Sequence, residues 1–367
     1  MPSIHQILRS LDAKFPFSRA ESWDKTGLLI GDENAEVSRV LVCYEVTDAV
    51  LDEASEAQLL IAYHPLIFRP LDNLNFKNHT ARLAGRILAA KQNLICVHTA
   101  LDGAASPDAL GDALAGQLGL RNVRVHAPSG RVKLVKIVTF VPASHLKTVS
   151  NAMWGAGAGE IGLYKNASFR SEGIGTFRPS EGADPYSGKV GELSLENEVK
   201  LEVIAPQNIW KQVVGAMKSV HPYEEVAYDV IALENVEENQ GYGPLRMGEI
   251  EATSLEAFAQ DVKEKLGAPN IRVVKSSVET VTKVACSPGS GASFIDSLER
   301  GTVFVTGDIK HHDALKAQAR GVAIIDVTHA ATETLTVKLM KSALIAGGLE
   351  ELKIFESKSP INPFEVI

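Results

Sequence analysis

Residues 59–65 read Leu-Leu-Ile-Ala-Tyr-His-Pro: four aliphatic residues without a polar interruption, then two side chains able to do chemistry. A run this short and this apolar is a strand buried on both faces, and Leu59–Tyr63 has two companions, Val40–Tyr44 and Leu94–Val97. Helical patterns over Thr47–Glu56 and Thr80–Lys91 separate the three, and an amphipathic helix over residues 3–14 precedes them, with SWDKTGLLIG between read as a loop. Continuous apolar strands alternating with helices imply βαβ units and a parallel sheet covered on both faces. The last third repeats the rhythm: Val281–Cys286 as strand, PGSGAS as turn, Phe294–Glu299 as helix, Thr302–Thr306 as strand, Ala314–Ala319 as helix, Val322–Val327 as strand. The expected class is therefore α/β, with two similar halves that repeat in architecture rather than in residues.

The middle of the chain differs. Residues 155–188 hold eight of the 29 glycines, with Pro179 and Pro185, and read as long loops. Around them stand Val132–Pro142, Val199–Ala205 and Val226–Leu233 as strands, with His145–Trp154 and Asn208–Val220 as helices. Two β-α-β halves of this kind make a small ferredoxin-like α+β module. The expected organisation is a discontinuous outer domain, residues 1–125 and 249–367, with residues 126–248 inserted.

Composition limits the function classes. In 367 residues, 45% are hydrophobic and 22% charged, which suits a globular chain and not a disordered one. Lys and Arg total 37 against 45 Asp and Glu, a net charge of −8 with no basic cluster. That argues against bulk nucleic-acid or anionic-membrane binding. No apolar run approaches the roughly 18 residues of a membrane span, and the first residues lack a signal-peptide pattern; a cytoplasmic location is expected. The three cysteines, Cys43, Cys96 and Cys286, have no CxxC spacing and sit in apolar runs as small core residues.

In an open parallel sheet, ligands bind beyond the carboxyl ends of the strands. Four polar clusters fall there: Tyr63-His64, His98 to Asp102, Thr306 to His312, and His329 to Glu333. If His329 opens a helix, Glu333 lies one turn on and shares its face. Imidazoles and carboxylates without thiolates suit a divalent ion such as Zn, Fe or Mn. Any one histidine at a strand end is more simply a hydrogen-bonded structural residue; it is the joint pattern that points to metal. PGSG before a helix could cradle a phosphate on backbone N–H groups, though a tight turn is the plainer reading. His221-Pro-Tyr-Glu-Glu225 reads as a turn or subunit contact, Lys310 as an exposed lysine and Glu234–Glu238 as a solvated loop.

Taken together, WDKTGLLIG (Trp23–Gly31), YHPLIF (Tyr63–Phe68), HTALD (His98–Asp102), TGDIKHHDAL (Thr306–Leu315) and DVTHAATE (Asp326–Glu333) resemble the Nif-three-like metal-binding family, also named GTP cyclohydrolase I type 2 homologues. GAGEIGLY (Gly157–Tyr164), GTFRP (Gly175–Pro179) and HPYEEVAYD (His221–Asp229) extend the resemblance through the insert, so that it covers essentially the whole chain in order. It implies two α/β halves around a dinuclear metal site, a PII/CutA-like inserted module and a ring-shaped homohexamer. It also implies that His64 and Asp102 hold one ion, His329 the other, and Glu333 bridges both. The family's remaining ligand is the first histidine of a His-His-Pro motif, and here Tyr63 stands in its place. A phenol with an ordinary pKa near ~10 must lose its proton to bind strongly, which implies a weakened, vacant or iron-selective second position. Lys25 and Glu45 also depart from the family's usual asparagine and aspartate.

The resemblance implies one or two divalent ions per chain and a metal-dependent hydrolase, in which activated water attacks a nucleotide's purine ring. His98, Asp308 and His312 are then candidates to shuttle protons or orient ligands. A nucleotide phosphohydrolase is an equally natural use of the same groups. The alternative from another class is a metal-binding scaffold or regulatory oligomer without turnover.

Overall fold

Strand Leu59–Ala62 is wholly buried, and its neighbours explain why an uninterrupted aliphatic run is needed there. In the computed structural model it pairs in parallel with Arg39–Cys43 on one side and Asn93–Cys96 on the other. The structure describes residues 1–104, 107–162, 164–349 and 351–365. The chain divides into two compact units, one of Met1–Gly130 with Tyr242–Ile367 and one of Arg131–Gly241.

The first unit holds two sheets. The five-stranded sheet runs Gly27–Ile30, Asn93–Cys96, Leu59–Ala62, Arg39–Cys43, Lys353–Glu356; all neighbours are parallel except the first pair. The six-stranded sheet runs Arg272–Val274, Ala323–Asp326, Val303–Gly307, Thr280–Ser290, Arg246–Ser254, Arg121–Val125. Its centre, Thr280–Ser290 with Val303–Gly307 and Ala323–Asp326, is parallel, and its outer strands are antiparallel. The mixed α/β class and the paired halves are thus present. Helices cover the sheets with apolar faces, Ile4, Ile7 and Leu11 from Ile4–Lys14 and Leu83, Ala84 and Ile87 from His79–Ala89. Their starts are set by side-chain caps: Ser3 with Gln6 in a capping box, Thr47 before Asp48–Glu53, Asn78 before His79–Ala89. The three cysteines are free and buried.

The second unit has a four-stranded sheet in the order Phe169–Phe177, Ser194–Pro206, Gly130–Pro142, Tyr228–Tyr242. Helices Leu146–Gly155 and Trp210–Lys218 share one core with it, through Val149, Met153, Val213 and Met217 against Ile137, Val141, Leu201 and Val203.

Several expectations are corrected. SWDKTGLLIG is not all loop, because Gly27–Ile30 pairs antiparallel with Asn93–Cys96. Nor is the glycine-rich middle only loop: Phe169–Phe177 pairs residue for residue with Ser194–Pro206. Glu234–Glu238 lies within strand Tyr228–Tyr242. Strand Thr280–Ser290 runs through the expected PGSGAS turn by way of a bulge between Cys286 and Ser290, and the segment after it is a 3-10 helix, Ala292–Ser297. The strand corrections share a cause: the backbone pairs with a strand elsewhere in the sheet, which local composition does not report.

Arg246 is the largest fully buried side chain. Its Nε and Nη2 each donate to Asp112 at 2.8 Å, and Nη1 donates to the Gly243 carbonyl at 2.6 Å. Truncating Arg246 removes the paired N–H contacts to Asp112 and the contact to the Gly243 carbonyl together, and leaves a void where a wholly buried side chain stood. Arg246→Ala should therefore cost about 3–5 kcal/mol in chemical denaturation; a loss under about 1 kcal/mol, the scale of an exposed pair, would contradict this.

Candidate metal centre

The side chains that meet at the centre leave the carboxyl ends of strands in both sheets. Tyr44 follows Arg39–Cys43, Tyr63 and His64 follow Leu59–Ala62, and His98 follows Asn93–Cys96. From the other sheet, Asp308 follows Val303–Gly307, while His329 opens the turn His329–Thr332 that Glu333 ends. Three of these connections carry a positive φ at a residue other than glycine: His98 at 34°, Asp308 at 58° and Thr328 at 76°. Such backbone costs about 1–3 kcal/mol each and persists where surrounding structure holds it, often at functional sites.

Glu333 is the hub. It is 3% exposed; Oε2 accepts from the Tyr44 hydroxyl at 2.6 Å and lies 3.2 Å from His329 Nε2 and 3.8 Å from His64 Nε2. One ligand atom from each of His64, His329 and Glu333 falls within 4.8 Å of the others. The Tyr63 hydroxyl lies 3.1 Å from Asp102 Oδ1 and 3.3 Å from Glu333 Oε1, so its one proton serves both carboxylates. Asp102 stands outside the three-residue group and joins it through Tyr63. Gly289 makes the space, because a Cβ there would lie 2.6 Å from Glu333 Oε1 and 3.2 Å from the His329 ring.

A second layer orients the imidazoles. Asp308 Oδ2 accepts from His329 Nδ1 at 2.7 Å, which leaves Nε2 for Glu333. Asp24 Oδ1 takes His98 Nδ1 at 2.8 Å, while Oδ2 accepts the Thr99 N–H at 3.1 Å. The His98 ring sits 5.2 Å from that of His64 and 5.4 Å from that of Tyr63. His312 is exposed on the first turn of His311–Arg320, against His311, and makes none of these hydrogen bonds. Tyr44 and Asp24 were not singled out in the sequence. Tyr44 has the same strand-end position as Tyr63, and Asp24 lies inside the tryptophan motif. Lys310 is exposed, Glu45 lines the cavity beside Tyr44, and Lys25 contributes its N–H to Asp24 at 2.7 Å. The Gly289 and Gly291 N–H groups donate to Thr332 and Thr306, so those two N–H groups are engaged within the fold. In the second unit His221 packs against the Phe140 carbonyl, and the Tyr223 hydroxyl donates to Glu198. Of the quoted motif Gly157–Tyr164, Leu163 lies outside the described residues.

Burial and neighbouring charge set the protonation. Burial pulls His64 down to about 4 despite Glu333. Burial also opposes charge on His329, but Glu333 and Asp308 outweigh it and raise it to about 9. Asp102 is pushed up to about 7 by burial and by Glu333. Burial, Asp102 and Glu333 carry Tyr63 well above the ordinary phenol value, so it stays a protonated donor. The donor set fits a divalent cation: two imidazoles and a buried carboxylate converge, and among the described residues no lysine or arginine pairs with Glu333 or Asp102.

In chelated protein, Asp102 at about 7 and His329 at about 9 bind protons more tightly than in the unfolded chain, where ordinary values are ~3.9 and ~6.5. Their stabilisation is complete at low pH and is lost as pH rises through the folded values. His64, lowered to about 4, acts oppositely, but only below its ordinary ~6.5. The Tm of chelated protein should therefore fall from about pH 7 to about pH 9, and added divalent metal should restore most at the alkaline end. A flat or rising Tm without metal would contradict this.

Two cavities open on the centre. One, of about 850 Å³, is walled by Tyr44, His64, His98, Arg272, Asp308 and His329. The other, of about 400 Å³, is walled by Arg19, Trp23, Tyr63, Asp102, Tyr242 and Glu333 among others. No helix among the described residues is long and apolar enough to cross a membrane.

Comparison with known proteins agrees with this architecture. A protein of Halalkalibacterium halodurans named GTP cyclohydrolase 1 type 2 homolog is 37% identical, with 98% of each chain covered. A Bacillus subtilis protein of the same name is also 37% identical, over 98% of this chain and 97% of its own. The crystal structure of a Bacillus cereus protein related to NIF3 superposes with a TM-score of 0.87 at 34% identity, covering 100% of this chain and 99% of that one. Residues 2–363 match the model of a single family. The chain belongs to the Duf34/NIF3 (NGG1p interacting factor 3) family.

Proposed function

We propose that this chain is a divalent-metal-dependent hydrolase acting on a nucleotide, with purine ring opening of the GTP cyclohydrolase kind as its specific form. The observation that carries the reading is the convergence of His64, His329 and Glu333 beside open cavities; the names of the relatives support the nucleotide part. His64, His329 and Glu333 would hold one ion, of Zn, Fe or Mn type. Asp102 would offer oxygen towards a second, with Glu333 between them. When bound, such an ion supplies Lewis acidity that makes water a nucleophile at neutral pH.

The chain's own groups do the rest. Asp308 fixes the His329 ring and Asp24 fixes that of His98. Asp102, held by the Tyr63 hydroxyl, presents its carboxylate beside Glu333. His98, Nδ1 engaged, has Nε2 left to move a proton. Ring opening needs one water at the purine C8 and a proton on the departing ring nitrogen, which leaves a formamide; a second water on the formyl carbon and a proton on the second nitrogen then release formate. Hydrolysis of a nucleotide phosphoester would use the same groups.

Tyr63 favours a second reading, a metal-binding scaffold without turnover, since a protonated phenol stands where an imidazole ligand is expected. Self-association, as a hexamer, belongs to both readings. Exposed Phe169 and Ile174 on edge strand Phe169–Phe177, with Leu195 on its neighbour, support it. Residence in the cytoplasm, and residues 126–248 as a PII/CutA-like insert, likewise belong to both readings.

Hydrolysis of GTP and of generic phosphoesters should require added Zn or Mn after chelation, and should fall by about 100-fold or more in Glu333→Ala, beyond the usual cost of losing an outer partner. Turnover that survives both treatments would contradict the enzyme reading; metal bound without turnover on any nucleotide would favour the scaffold.

A further inference from the structure

The two cavities differ in how their arginines are used. In the larger one, Arg272 is paired with Asp326 and also donates to the Ile309 carbonyl at 2.9 Å. Its charge is already neutralised within the fold. In the smaller one, Arg19 is half-buried, and its guanidinium stacks 5.3 Å from the centroid of the Tyr242 ring. It makes no ion pair or side-chain hydrogen bond with any described residue; Glu21, which also lines the cavity, does not reach it. A partly desolvated guanidinium without an anion is costly, and here the cost is carried at the wall of a cavity that also contains Glu333, Asp102 and His329.

Hydroxyl groups share that wall. Ser290 and Ser293 line the cavity, both exposed, and neither hydroxyl is engaged by a described residue. A planar, five-donor guanidinium beside free hydroxyls matches a many-oxygened anion, to which Arg binds through two parallel N–H groups. The cavity volume of about 400 Å³ is that of a small-molecule site. The Tyr242 ring lies under the Arg19 guanidinium carbon, and the guanidinium N–H groups have no acceptor among the described residues.

We propose that Arg19, with Ser290 and Ser293, forms the subsite for the phosphate of a phosphorylated substrate whose reacting group lies towards Glu333 and His329. The inference deepens the nucleotide reading and rests on it for the direction of the substrate, but the phosphate contact stands on Arg19 alone. It assigns substrate entry to the smaller cavity, because the larger one has no free cation among its described lining residues.

The test is binding to full-length protein as purified, by calorimetry, with the metal content of every sample measured alongside. The probes are inorganic phosphate, guanosine 5′-monophosphate and guanosine. Phosphate and the monophosphate should bind saturably, and Arg19→Ala should weaken both by about tenfold or more, the loss of one charge-assisted contact of about 1.4 kcal/mol. Arg19→Lys should fall between the two, and Arg272→Ala should match the wild type. Guanosine affinity should not respond to Arg19. Phosphate binding unchanged in Arg19→Ala and Arg19→Lys, weakened instead in Arg272→Ala, or matched by acetate would overturn the proposal. Arg19-dependent phosphate binding in protein that shows no GTP or phosphoester turnover with added Zn or Mn would retain the subsite while removing the hydrolase reading.

Discussion

A carboxylate buried between tyrosines and imidazoles is the constraint on which the rest depends. Glu333 is nearly inaccessible, and its partners are Tyr44, Tyr63, His64 and His329. Two protonated phenols offer it hydrogen bonds but no positive charge, and burial keeps His64 neutral. That leaves His329 as the one nearby group drawn towards a positive charge. A buried carboxylate with so little compensation is expensive unless a cation joins it. The strand ends that supply these partners come from both sheets of the first unit, so the site's electrostatics and the packing of the two halves are one problem.

The surrounding backbone is built for that purpose. Thr328, a β-branched residue, is held at a φ of 76° where L residues are rarely found. Gly289 is kept without a side chain because a methyl there would collide with Glu333. Asp24 and Asp308 each spend a carboxylate on orienting one imidazole. Burial opposes charge on Asp24, but hydrogen bonds from His98, Thr99 and the Lys25 N–H outweigh it and hold it below its ordinary value.

What the sequence makes legible follows from where its physics is local. Buried parallel strands need continuous aliphatic runs, so Leu59–Ala62 and Ala323–Asp326 stand out, and the residues after them, His64 and His329, fall at the ligand-binding ends. Glu333 is legible from its spacing to His329 alone. Gly27–Ile30 is not, because its Leu-Leu-Ile run is too short to stand out beside the tryptophan motif, and Phe169–Phe177 is not, because it is largely exposed and has no aliphatic run; both are edge strands that exist by pairing with distant partners. Tyr44 ends an apolar run and reads as core until its hydroxyl is seen against Glu333. Arg19 carries no signal at all, since an arginine in a loop is ordinary until the absence of an acid beside it is visible. His312 reads as a candidate through the strand-end cluster Thr306 to His312, and the helix beginning at His311 turns it to solvent.

Tyr63 is where this chain departs from the pattern its motifs resemble, and in the metal-free chain burial and two carboxylates keep its hydroxyl protonated, a donor to Asp102 and Glu333. The most direct measurement of the account is therefore the metal-to-chain ratio of freshly purified wild type, Glu333→Ala and Tyr63→His, each also after metal is added back. The account predicts about one tightly held ion in the wild type, a rise towards two in Tyr63→His, and loss in Glu333→Ala. No retained metal in the wild type after addition, or a ratio indifferent to Glu333→Ala, would contradict it.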